Sequence, residues 1–323
     1  YYNQADSPFK IFKFLKCLPS KIFDRWRVRH FLSKIIKKIK GYTGYFELYA
    51  MPFDKLEYFD YIEKTDLFVP GGLAPVNNIA DELEKRNIKY HISNWRLSET
   101  ENIKSLIDDL EEGEINFAFL YTAAMDGLLH RVTKNGKEIP GKLKFYQEKI
   151  DEVMRVAETK YDEFEFYVMS DHGMTTLLGE IDLKKEVGSL KHRFGQDYVA
   201  VYDSTMARFW FMNEDAKADI TKLLGQVAKG HILSVDEIKK YDIDFEDNMY
   251  GELIYLLDPG YQIVPSDMGI NSLPGMHGYA PEDKDSMASF LSMQPLENPP
   301  HWVGNYFDVM VEKMDEISKE ITH

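Results

Sequence analysis

Three short stretches carry residue types that bind metal ions. The first is Met125-Asp126-Gly127-Leu128-Leu129-His130, in which a carboxylate and an imidazole stand four residues apart. That spacing brings both to one face if the chain there is helical. The second is Ser170-Asp171-His172-Gly173-Met174, an adjacent Asp and His. The third is Gly275-Met276-His277-Gly278-Tyr279, a histidine between glycines, where backbone can approach a ligand closely. Carboxylate oxygen with imidazole nitrogen suits a borderline divalent cation such as zinc. Cys17 is the single cysteine, so any metal must be held by Asp and His rather than thiolates.

The elements that must position these residues are legible from periodicity. Residues 115–121 and 163–169 are apolar, aromatic-rich runs that read as buried strands, and each ends just before an Asp. In an open α/β sheet the C-terminal strand edge is where ligands bind. Neighbours in a strand point to opposite faces, so Asp171 and His172 read as serving two different ions if the strand continues through them. Ser98-Glu99-Thr100-Glu101 is a capping box that opens a helix ending at Gly113. Asn77 or Asn78 caps an earlier helix near 76–86, and 88–92 is a short strand. Helices follow Pro140-Gly141 and close the chain at 307–321.

This alternation predicts an α/β fold with a mostly parallel sheet sandwiched by helices. From Gly179 the texture changes. Residues 198–202 and 207–212 alternate like a hairpin, 214–228 reads as a helix, and strands at 252–257 and 261–264 turn at Asp258-Pro259-Gly260. The expected division is a core of 1–180 and 265–323, with 181–264 as a small α+β cap insertion.

The ordered trio resembles the alkaline phosphatase superfamily, in its type I phosphodiesterase/nucleotide pyrophosphatase branch. That branch has Asp-x-x-x-His, then Asp-His-Gly-Met, then Gly-x-His-Gly-Tyr. Here 45 residues separate Asp126 from Asp171 and 105 separate His172 from His277, as the resemblance requires. It implies hydrolysis of phosphodiester or pyrophosphate bonds with two divalent ions, zinc or alternatively manganese. One ion would be held by Asp126, His130 and His277. The other would be held by Asp171 and His172, with a further Asp and a Thr or Ser nucleophile from earlier in the fold. No residue here matches that nucleophile, which is expected upstream of residue 1; Ser20, Ser33 and Thr43 lack a preceding strand-Asp. Phosphomonoester, phosphonate or sulfate ester hydrolysis is the alternative within the superfamily, and a non-catalytic binding module is the alternative outside it. Arg208 is a stray candidate for a phosphate clamp. Residues 53–68 and the insertion are candidates to hold a bulky nucleotide-like group, and Tyr279 reads equally as substrate stacking or core.

Composition bounds the partners. A net charge of −15 argues against general nucleic-acid binding. No 18-residue apolar run exists, so none of the chain reads as membrane-spanning. Residues 10–40 depart from the acidic background, with eleven Lys/Arg and one acid, Asp24, interleaved with apolar residues. They read as a basic helical excursion within 1–48. It either packs on the body with its lysines in water or makes peripheral contact with an anionic membrane. An N-terminus opening Tyr1-Tyr2-Asn3 without methionine leaves location unread.

Overall fold

The structure, a computed structural model, describes residues 7–11, 25–45, 53–60 and 63–322. In chain order the helices are α1 Trp26–Lys40, α2 Ile79–Lys85, α3 Glu99–Glu112, α4 Ala124–Val132, α5 Ile139–Lys160, α6 Leu183–Gly188, α7 Glu214–Leu224, α8 Val235–Lys240 and α9 Asn305–Thr322. The strands are β1 Tyr90–Ile92, β2 Phe117–Phe119, β3 Tyr167–Met169, β4 Thr175–Thr176, β5 Gly179–Ile181, β6 Tyr198–Tyr202, β7 Met206–Phe211, β8 Gly230–Ile232, β9 Leu253–Leu257, β10 Tyr261–Ile263, β11 Gly275–Met276 and β12 Phe290–Ser292. No described helix is long and apolar enough to cross a membrane. The chain forms two compact units, residues 1–64 with 174–286, and 65–173 with 287–323.

The first unit is built on a four-stranded antiparallel sheet in the order β6-β7-β9-β8. β6 and β9 are apolar at every position because both faces of the sheet are covered. Along β6, Tyr198, Ala200 and Tyr202 meet Leu183, Val187, Ile220 and Leu224 from α6 and α7. Val199 and Val201 point the other way and meet Leu32 and Ile36 of α1, with Leu56 and Phe59. Fully burying a side chain such as Ile36 contributes roughly 1.5–3 kcal/mol, so α1 is tied down by its apolar edge while its lysines face out. Residues 12–24 of the basic stretch lie outside the described residues.

Several expectations are corrected in this unit. The turn at Asp258-Pro259-Gly260 forms, closed by Tyr261 N–H donating to the Asp258 carbonyl at 3.1 Å. It does not make a hairpin, because β10 pairs in parallel with β5. Arg208 is 1% exposed, pairs with Asp203 and lies with its guanidinium 4.6 Å from the Tyr250 ring, so it braces the sheet interior. Leu56 and Phe59, from the segment considered for substrate, are core residues. Ser33, which the sequence did not nominate as a nucleophile, is buried in α1, its hydroxyl donating to the His30 carbonyl at 2.8 Å.

In the second unit, α2 and α3 begin at full capping boxes on Asn78 and Ser98, and α3 ends at Gly113 with φ of 69°. β1 and β2 pair in parallel across α3, the expected strand-helix-strand unit. α3 packs on α5 through Leu106, Leu110 and Val153. α9 packs through Met314 against Leu83 and Ile88, and Arg86 clips it with a 2.7 Å bond to Asp315. β3 is shorter than expected and pairs antiparallel with β12. Val168 and its cross-strand partner Leu291 are 37% and 65% exposed. The run therefore does not form a strand buried on both faces, since a two-stranded pair covers one face at most. Among the described residues the parallel pairings are β1 with β2 and β5 with β10, short pairs rather than one continuous sheet.

Candidate metal centre

The turn carrying Asp126 is helical, as its spacing to His130 requires. α4 starts five residues after β2, and His130 Nε2 lies 3.3 Å from Asp126 Oδ1. The Asp sits in the first turn and the His in the last, each on the favourable side of the helix dipole. Tyr146 of α5 fixes the start of this helix. Its hydroxyl donates to Glu99, which also receives Lys142, and it accepts from the backbone of Met125 and from Thr122. Burial, then the bond to Glu99, pushes the Tyr146 phenol up to about 12, so it remains a donor throughout the physiological range. The sequence reading missed this brace, because Tyr146 looks like one more residue of a helix face.

Asp171 and His172 lie beyond the end of β3, in a bend. His172 Nε2 is 3.6 Å from Asp171 Oδ1, so the two face a common point. The strand alternation that would have sent them to separate ions does not apply, because the chain has already left the strand. His172 Nδ1 is 2.9 Å from the Gly173 carbonyl. A carbonyl only accepts, so Nδ1 carries the proton in this contact, which orients the ring. Asp171 is 67% exposed. The preceding Ser170 is held on both sides, by Ser289 and by the Tyr306 hydroxyl at 3.2 Å from the Ser170 carbonyl.

Tyr121, at the end of the run containing β2, links the two pairs. Burial, then the charges of Asp171 and Asp126, hold its phenol above the ordinary range. Both carboxylates thus act on one ring, which also tilts against Phe68 at 5.9 Å.

The third motif is explained by its backbone. Gly275 pairs with Thr176, anchoring the strand that leads to His277. Gly278 has φ of 89°, and a Cβ there would meet Thr205 Oγ1 at 3.0 Å. The same Thr205 hydroxyl donates to the Gly278 carbonyl at 2.7 Å. Tyr279 is 6% exposed and donates to the Tyr261 carbonyl at 2.9 Å, so it is a core residue. Asp126, His130 and His277 are each half-buried. Asp126 and His130 lie together in the second unit, and His277 lies in the first. A carboxylate with imidazoles suits a divalent transition ion such as zinc. Asp171 and His172 offer a second carboxylate–imidazole pair in the second unit.

Three further histidines are engaged elsewhere: His91 with Asp109 at 2.6 Å, His192 with Asp219 at 2.9 Å and His231 with Glu237 at 2.8 Å.

Among solved structures, human ectonucleotide pyrophosphatase/phosphodiesterase 5 is similar at a TM-score of 0.55 and 15% identity, over 66% of this chain and 62% of that one. The murine protein aligns at 0.58 and 17%, over 71% and 66%. An inactive murine form in complex with AMP aligns at 0.57 and 16%, over 70% and 66%. At these identities the likeness shows a shared fold, and the chain spans less than two thirds of the length of these relatives. No curated protein sequence matches significantly. The sequence model for type I phosphodiesterase/nucleotide pyrophosphatase matches residues 60–280, a span that holds all three ligand stretches in order. On that match, over more than half its length, the chain belongs to the type I phosphodiesterase/nucleotide pyrophosphatase family.

Proposed function

We propose that the protein is a metal-dependent hydrolase of phosphodiester or pyrophosphate bonds, acting on a small nucleotide-like substrate. The observation that carries this reading is the Asp126–His130 pair, 3.3 Å apart on α4, inside a family match that runs from residue 60 to 280. In this reading Asp126, His130 and His277 hold one divalent ion, and Asp171 and His172 contribute to a second. Residues 181–264 form the cap beside the site, and the core takes the alkaline phosphatase-like α/β arrangement. When bound, the ions neutralise charge building on the phosphoryl oxygens and acidify a nearby hydroxyl.

The chain's own residues set the geometry. The helical register of α4 presents Asp126 and His130 together, and Tyr146 holds the start of that helix against Glu99. The Gly173 carbonyl orients the His172 ring. Nucleotide-like chemistry is suggested by the AMP complex of a murine structural relative. A diester carries one negative charge at phosphorus and a monoester up to two, so an acidic surround favours the diester.

The test uses protein extended upstream of Tyr1, where the nucleophile is expected, and compares kcat/KM for a nucleotide p-nitrophenyl ester and bis-p-nitrophenyl phosphate against p-nitrophenyl phosphate, with zinc or manganese. Diester hydrolysis that a chelator abolishes and added metal restores is expected. A tenfold preference for the monoester, equivalent to about 1.4 kcal/mol of transition-state discrimination, overturns the diesterase reading.

A further inference from the structure

The outward face of α1 is arranged for something other than the stability of the helix. Arg27, Phe31, Lys34 and Lys38 fall on one stripe at helical spacing, opposite the buried Leu32 and Ile36. Phe31 is 63% exposed in the middle of these cations, and Ile39 is 66% exposed at the end of the helix. Lysines in the last turn favour the helix dipole, which explains Lys37, Lys38 and Lys40. The dipole does not explain the rest. Arg27 stands in the first turn, where a cation is unfavourable, no acid accompanies it there, and Arg25 at the N-cap makes no side-chain cap. Beside the stripe lies a groove of about 460 Å³ lined by His30, Ser33, Lys34, Lys37, Lys38 and Tyr42. The whole stretch from residue 10 to 40 holds eleven Lys/Arg against one acid in a chain of net charge −15.

We propose that this face docks on an anionic lipid surface, with Phe31 entering the headgroup layer and the groove receiving a lipid phosphate. Charge complementarity selects the occupant, because cations surrounding a single exposed aromatic ring match a negatively charged interface. A neutral apolar partner would leave the lysines desolvated, and a nucleic acid would meet the acidic remainder of the chain. The proposal is independent of the hydrolase reading, and its failure leaves that reading untouched.

The experiment is co-sedimentation of the full chain with vesicles of phosphatidylcholine alone or with added phosphatidylserine. Binding at least about tenfold tighter to the anionic vesicles is expected, weakening as salt is raised. The Lys34→Glu/Lys38→Glu variant should lose at least about tenfold in affinity, and Phe31→Ser should lose several-fold at unchanged charge. Lys104→Glu/Lys144→Glu, with the same change of charge on α3 and α5, should bind like the native protein. Circular dichroism confirms that each variant is folded. Equal binding to both vesicle types overturns the proposal, as does equal loss in the two charge-reversal variants. Release by inorganic phosphate beyond that caused by chloride of the same ionic strength also overturns it, since it would mark a free-phosphate pocket.

Discussion

The two Asp–His pairs use the same side chains and differ in what holds them. Asp126 and His130 are one helical turn apart on α4, and the turn that starts that helix is bonded through Tyr146 to Glu99 and Lys142. Asp171 and His172 are consecutive residues in a bend, with Asp171 two-thirds exposed and accepting from the His172 N–H at 3.1 Å, and His172 oriented by the next residue's carbonyl. Preorganised ligands bind metal more tightly because less freedom is lost on coordination. The helical pair should therefore fill first, and the strand-end pair should be the weaker, exchangeable site.

The comparison breaks most directly in substitutions of the histidines. His130→Ala removes a ligand itself and should weaken the first-filled ion by more than the 10–100-fold that outer partners typically cost. His172→Ala should leave that ion in place and remove a weaker one. Zinc titration calorimetry on both variants distinguishes the two, and equal loss of the tight ion from each would erase the proposed difference. Tyr146→Phe should act through the brace. It should lower tight-site affinity by up to about tenfold while costing about 1 kcal/mol of stability. Tyr306→Phe should instead weaken only the strand-end site.

A smaller effect is expected from Ser98→Ala. It removes the cap of α3, the helix that carries Glu99, and should cost about 1 kcal/mol in denaturant unfolding with metal affinity little changed. The smallest concerns pH. Arg86, then Asn77, hold the Glu82 carboxyl below its ordinary value of 4.5. A depressed pKa means the unfolded chain binds the proton more readily, so this stabilisation is present above the unfolded value and is lost as pH falls through the folded one. Unfolding followed from neutral pH down past about 4 should show a shallower loss in Glu82→Gln.

Where local rules decide the structure, the sequence was readable. Asn78, Ser98 and Gly113 set their helix ends by capping and positive φ, and Asp126 to His130 announced a helical face by spacing alone. Residues 198–202 and 207–212 announced a hairpin, which β6 and β7 form, but the alternation read there did not foresee that β6 is buried on both faces. Pairing between distant segments was not readable. The residues of β10 are as compatible with a hairpin to β9 as with the parallel partner β5 they take. Val168 sits in a run that looks buried, yet exposure depends on what lies across it. Among site residues, the ligands stood out because Asp and His are chemically conspicuous. Tyr121 and Tyr146 did not, because their roles arise from contacts with both carboxylates and with Glu99 of α3 that no local pattern encodes.

The central claim is that Asp126, His130 and His277 form a metal centre. Crystals grown with zinc and measured on both sides of its absorption edge test this most directly. The prediction is an anomalous peak bound by Asp126, His130 and His277, at occupancy equal to or above any peak at Asp171 and His172. Full occupancy at Asp171 and His172 with no peak at the triad would contradict it.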